Sequence, residues 1–69
     1  MIDVTKPPYC ADRTGAIDSA PAINRAIRSA GKGETIYLPA GTYLCIGGLI
    51  INNDIKEIRG DGEDTIILP

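Results

Sequence analysis

From Gly31 onward, no apolar or β-branched stretch of this 69-residue chain runs beyond five residues before Gly, Pro or Asn stops it. Ile36-Tyr37-Leu38 ends at Pro39, and Thr42 to Ile46 ends at Gly47-Gly48. Leu49-Ile50-Ile51 closes on Asn52-Asn53-Asp54, Ile55 to Arg59 on Gly60-Asp61-Gly62, and Thr65 to Leu68 on Pro69. Runs this short cannot display a helical stripe, and their β-branched content reads as strands bounded by turns. Only Asp61-Gly62 resembles a tight hairpin linker, so most sequence neighbours are not expected to pair with each other. A coiled parallel sheet uses such strands, each stacked on the one a full coil earlier. A small β-sandwich fits the same pattern.

Before Gly31 the period changes. Residues 1–16 read as an irregular N-terminal arm, because Pro7-Pro8 forbids regular pairing and Asp12-Arg13-Thr14-Gly15 is turn-like. Residues 17–69 then form one unit of helix and strands. Asp18 and Ser19 are both good N-cap residues, and Pro21 falls in the first turn, where its missing N–H is harmless. Ile23, Ala26, Ile27 and Ala30 follow the i, i+3, i+4, i+7 spacing of one apolar stripe. Arg25 and Arg28 lie off that stripe, toward the end where cations complement the helix dipole. The spacing predicts a helix over Ser19–Ala30, with Gly31 as its left-handed stop.

Composition removes several function classes. With no histidine, the chain has no Ser-His-Asp or Cys-His nucleophile and no His-containing zinc site. A net charge of −2 offers no basic footprint for nucleic acid. The first residues lack a basic region followed by an apolar stretch, so no secretory signal is read there. The longest uncharged window, Leu38 to Asn53, is too short and too broken by Gly, Pro and Asn to span a bilayer. Cys10 and Cys45 would close one long loop if paired; in a chain without a signal the reading is two buried thiols. The apolar fraction of 43% suits a globular domain, although so short a chain buries only about 60% of its unfolded surface.

The stretch from Ala11 to Gly31 resembles the N-terminal opening segment of the pectate-lyase-like superfamily. Thr35-Ile-Tyr-Leu-Pro-Ala-Gly-Thr-Tyr43 is similar to the superfamily's most recognisable phrase, and Ile58-Arg-Gly-Asp-Gly62 with Thr65 to Leu68 resembles the strands and turn that follow. The likeness spans roughly residues 11–68 and keeps its parts in order. Three departures stand out. Arg13 occupies a place where proline is common, Ala20-Pro21 replaces small polar residues, and Lys32-Gly33-Glu34 replaces a plain glycine run. The resemblance implies a mainly β fold with one N-terminal capping α-helix leading into the first coils of a right-handed parallel β-helix. Members include polygalacturonases, pectate lyases, alginate epimerases and trimeric bacteriophage tailspikes.

On that fold, an open coil end would expose unpaired backbone and an apolar interior, and the stripe of Ile23 and Ile27 is the plug such an end needs. Ile36 with Leu38, and Leu49 with Ile51, point to one face at period two, for stacking about 4.8 Å apart. Asp18 starts the helix, Pro39 ends a strand at a corner, and Gly41 lets the chain reverse. Tyr43 packs at a corner, while Gly60 and Gly62 supply positive φ at the next one. These are structural residues. No catalytic, cofactor-binding or metal-ligating residue is read in the chain. Asp61, Glu63 and Asp64 read as a solvated acidic corner and not a calcium site, Asn52-Asn53-Asp54 as a turn, and Gly60-Asp61-Gly62 as no dinucleotide fingerprint. Tyr9, Tyr37 and Tyr43 would contact sugar only if exposed on one wall, and Arg25 and Arg28 read as a solvated face.

A coil takes roughly 20 residues and repeat folds need about three to bury a core, so some two coils are expected here. The chain closes at Pro69, one residue after an apolar strand. The expectation is therefore an N-terminal piece of a longer β-helix, or else a small protein that covers its open end by oligomerising. The resemblance implies a capping and assembly module of a polysaccharide-degrading tailspike, located on a virion tail or outside the cell. Its partners would be further coils or a homotrimer, with polysaccharide reached through the whole protein and no nucleic acid or membrane. The alternatives are part of a polysaccharide lyase or glycoside hydrolase that contributes groove residues, or a small sugar-binding trimer.

Overall fold

A computed structural model describes residues 1–50 and 55–69. Among these residues, six strands and one α-helix follow in the order β1 (Ile2–Asp3), β2 (Thr14–Asp18), α1 (Ala20–Ser29), β3 (Glu34–Leu38), β4 (Gly41–Leu44), β5 (Ile55–Gly60) and β6 (Thr65–Leu68). A 3₁₀ turn at Gly62–Asp64 leads into β6. The strands form two three-stranded sheets, ordered β1-β3-β5 and β2-β4-β6, and every pairing is parallel. Among the described residues no strand pairs with its immediate successor, as the lack of clean hairpin linkers predicts. The sandwich reading, which would call for antiparallel neighbours, is set aside by this topology.

Register explains which side chains go inside. Ile2, Ile36 and Ile58 lie side by side across the first sheet, and Tyr43 lies beside Ile67 in the second. Ile36, Leu38 and Tyr43 are buried, and Val4, Ile23, Ala26 and Ile27 meet them in a single core. Leu49 packs partly against that core. The expected pairing of Leu49 with Ile51 lies outside the described residues, as do Asn52, Asn53 and Asp54; Leu49 and Ile50 themselves are not strand. Burial of each large aliphatic side chain contributes roughly 1.5–3 kcal/mol, so the helix stripe is a major share of a small core.

The first sixteen residues are not an irregular arm. They supply β1 and most of β2, because pairing with β3 and β4 organises segments too short and polar to declare themselves as strands. Pro7-Pro8 interrupts only the turn between them, where Lys6 C=O accepts from the Tyr9 and Cys10 N–H groups. The helix runs one residue inside each expected boundary. Its stop is also different: Ala30 is extended (φ −67°, ψ 136°), and the left-handed glycine is Gly33 (φ +81°). Gly31 therefore is not the left-handed stop. The strand expected over Thr42–Ile46 is Gly41–Leu44, with Ile46 exposed in the following turn.

Corner glycines serve two different ends. A Cβ on Gly41 (φ +152°) would stand 2.7 Å from both the Cβ and the carbonyl oxygen of Arg13, so the chain can pass there only without a side chain. Gly62 adopts φ +64°, as expected, but Gly60 does not have positive φ. Gly60 is required because a Cβ would approach the Thr65 Cβ to 2.9 Å. Tyr43, wholly buried, donates its hydroxyl to the Pro39 carbonyl at 2.6 Å and ties strand to corner.

Tyr43→Phe is expected to lower unfolding free energy by about 1–1.5 kcal/mol, the worth of one hydrogen bond, as read from urea denaturation. Burial also pushes the Tyr43 phenol from 10.0 up to about 12. The folded state thus favours the neutral phenol, so this contribution is complete below pH 10 and fades as pH rises toward 12. A phenolate absorbance titration that finds all three tyrosines ionising together near pH 10 would contradict the burial.

Candidate functional site

The polar side chains that could carry chemistry are built into the corners between strands. Asp18 ends β2, and its Oδ1 accepts from the Ala20 N–H at 3.0 Å and the Ile46 N–H at 3.1 Å. One carboxylate oxygen therefore starts the helix and also holds the turn after β4. Ser19 occupies the N-cap position without a side-chain cap bond; its buried hydroxyl donates to the Asp12 carbonyl instead. Of the two capping residues expected, Asp18 does the capping.

Asp61 forms the second bracket. Its carboxylate accepts from the Tyr37 hydroxyl at 2.8 and 2.9 Å and from the Ala40 N–H at 2.8 Å, joining the turn after β5 to the corner after β3. The Asp61 N–H donates to Thr65 Oγ1 at 2.7 Å, and Thr65 Oγ1 in turn donates to the Leu38 carbonyl at 3.0 Å. The hydrogen bond to Asp61 raises the Tyr37 phenol above its usual value, since ionisation would set two anions together. The acidic corner is thus not merely solvated. Asp61 is structural, while Glu63 and Asp64 stay exposed. Among the described residues no cluster of acidic or thiol groups has the arrangement to hold a metal ion.

Two further brackets were not legible beforehand. Asp12 Oδ2 accepts from the Ala16 and Ile17 N–H groups, each at 3.0 Å, and Oδ1 from the Thr14 hydroxyl at 2.8 Å. These bonds, the Thr14 hydroxyl first, hold its carboxyl below the ordinary value of 3.8. Asn24 projects from α1 to the segment after β4, donating to the Gly48 carbonyl at 3.3 Å and accepting from the Ile50 N–H at 2.8 Å. The available signals were a short Asp-x-Thr pattern and a polar residue beside the apolar stripe, both common on ordinary surfaces.

Other candidates separate. Tyr43 is inside and cannot stack on a sugar, whereas Tyr9 and Tyr37 are half-buried on different elements. Arg25 and Arg28 are exposed on the helix. Cys10 and Cys45 are both free thiols; Cys45 is buried, as expected, but Cys10 is exposed. Burial first, then the Asp18 charge, pushes the Cys45 thiol up. Beside it, Gly48, Leu49, Leu68 and Pro69 line a groove of about 460 Å³.

Asn24 holds Gly48 and Ile50, and Gly48 and Leu49 line the groove beside the buried Cys45, which gives a direct test. Cys10 should react rapidly with an aromatic disulfide reagent and Cys45 slowly. Asn24→Ala should raise the Cys45 rate several-fold while leaving Cys10 unchanged. Equal rates for the two thiols in the unmodified protein would contradict the clasped arrangement.

Parallel strands stacked at intervals of one turn, with carboxylates tying successive corners, agree with the relationship that the family comparison reveals. A family model described as rhamnogalacturonase A/epimerase, pectate lyase-like, matches residues 3–69. Neither the curated proteins nor the solved structures contain a significant match. Because the family match takes in all but the first two residues, the chain belongs to the pectate lyase-like rhamnogalacturonase A/epimerase family.

Proposed function

We propose that this chain forms the first turns of a right-handed parallel β-helix and closes its N-terminal end, within a polysaccharide-acting protein of the bacteriophage tailspike kind. The observation that carries this reading is how the carboxylates are used. Asp3, Asp12, Asp18 and Asp61 each accept from backbone N–H groups of a corner or strand end. A carboxylate that serves as acid, base or nucleophile in glycoside chemistry must instead face a substrate with its oxygens free to exchange protons. Here these four aspartates fix the backbone.

Helix α1 supports the capping role. Its Ala20, Ile23, Ala26 and Ile27 face the core, and Arg25 and Arg28 face solvent. The helix lies between β2 and β3 in the chain, where the next circuit has, among its described residues, the segment clasped by Asn24. One wall of the first circuit is therefore broad and polar outside, a form suited to ending a stack. The partners of such a module are further coils and, in a tailspike, two more copies around a trimer axis. The whole protein would act outside the cell or on a virion tail, and the tailspike assignment rests on likeness of sequence phrase, a family-level warrant.

The 69-residue chain, incubated with polygalacturonate, rhamnogalacturonan and alginate, is expected to release neither reducing ends nor unsaturated uronates. Calorimetry with the same polymers should show no saturable heat. Turnover or saturable binding would place substrate-handling groups in this chain and overturn the reading.

A further inference from the structure

The two edges of the second sheet differ in how their backbone groups are satisfied. The Arg13 carbonyl, one residue before β2, accepts from the Thr42 N–H, so the Thr14 amide turns toward the free edge; beyond it the register with β4 shifts, and the Ala16 and Ile17 amides both turn to the Asp12 carboxylate. Those amides do not face solvent unpaired. Asp12 reaches over them, with Oδ1 accepting from the Thr14 N–H at 3.3 Å and Oδ2 from the Ala16 N–H at 3.0 Å. The neighbouring edge is closed by other means: β1 has two residues, and Asp3 Oδ1 accepts from the Thr5 N–H at 2.9 Å as the chain turns away.

The opposite edge is built differently. The Cys45 N–H donates to the Leu68 carbonyl, so Ile66 and Leu68 direct their backbone groups toward β4, and Ile67 directs its own away from it. The Ile67 side chain, beside the buried Tyr43 in register, is nevertheless 48% exposed, and Ile66 and Leu68 are 47% and 41% exposed. A β6 strand meeting the β2 edge of another molecule would repeat a parallel step that β2-β4 and β4-β6 already make within one molecule. The two edges are thus complementary to each other, and a contact of this kind is head-to-tail and can repeat from copy to copy.

We propose that Asp12 is an edge stopper: its carboxylate occupies the free amides of β2, and thereby keeps the open β6 edge of a second copy from pairing there. Strand edges are a known route to unwanted association, and an inward-turned charge is one way proteins block them. The carboxylate does so while satisfying donors that an approaching strand would otherwise have to satisfy. Among the described strands, β5 and β6 keep the unpaired edges, the side on which the proposed further coils would stack.

The test is light scattering after size exclusion, over a wide concentration series, on the unmodified chain, Asp12→Ala and Asp12→Asn. Asn keeps the volume of Asp but places a donor where Oδ1 or Oδ2 accepted. The unmodified chain should show a mass that is constant or levels off at a small closed oligomer. Both variants should show a weight-average mass that at least doubles and keeps rising without a plateau. Adding Ile67→Pro, which removes a free-edge amide and leaves the β4 pairing intact, should return the mass to that of the unmodified chain. Open-ended growth of the unmodified chain, folded variants with unchanged mass, or growth that Ile67→Pro does not reverse would each overturn the proposal. Because these readings concern association alone, they stand apart from the polysaccharide assays.

Discussion

Parallel pairing between strands separated by a whole circuit of chain is the constraint on which the rest of this structure depends. A strand that must lie parallel to an earlier one cannot reach it by a hairpin, so the backbone has to travel around the molecule between pairings. Each circuit requires corners, and each corner leaves peptide groups that no sheet partner takes. Asp18 and Asp61 supply acceptors at two such corners, and Tyr43 and Thr65 bind the carbonyls of Pro39 and Leu38. Gly41 and Gly60 are glycines because strands and corners approach too closely for a Cβ. The corners are thus consequences of the pairing, and they consume most of the polar chemistry that a function would otherwise draw on.

That use of acidic residues reconciles the family with the chemistry of the chain. Proteins that act on polysaccharides through paired carboxylates hold them facing a groove. Here Asp12, Asp18 and Asp61 accept from backbone amides, and the helix covers a core of Ile and Ala side chains. What the chain offers a larger assembly is order: a core, a broad first wall, and two sheets whose edges are satisfied on one side and exposed on the other.

Much of this was legible from residue pattern. The apolar stripe of α1 read correctly because three turns of helix repeat a spacing that nothing else produces. β3, β5 and β6 read correctly because β-branched residues between Gly, Pro and Asn have few other uses. β1 and β2 were missed for the converse reason. Ile2-Asp3 is too short to show a period, and Thr14–Asp18 alternates no apolar residues; both are strands only because β3 and β4 lie alongside. Gly60 was rightly chosen as a corner residue but for the wrong cause, since crowding by Thr65 is invisible until the strands are stacked.

Sequence alone determined the local grammar: where a helix runs, where strands stop, and which family phrase the chain carries. Those depend on spacing along the backbone and on the conformational limits of Gly and Pro. Tertiary structure decided which carboxylate meets which amide. Asp12 and Asp61 lie near turns and Asn24 on the helix, with nothing local to distinguish them from surface groups; Asp18 was legible as a helix cap but not as the tie to Ile46. Asp18, Asn24 and Asp61 became brackets because parallel stacking brings residues more than twenty positions apart within hydrogen-bonding distance. Asp12 became a guard because the fold leaves the strand beside it at an edge.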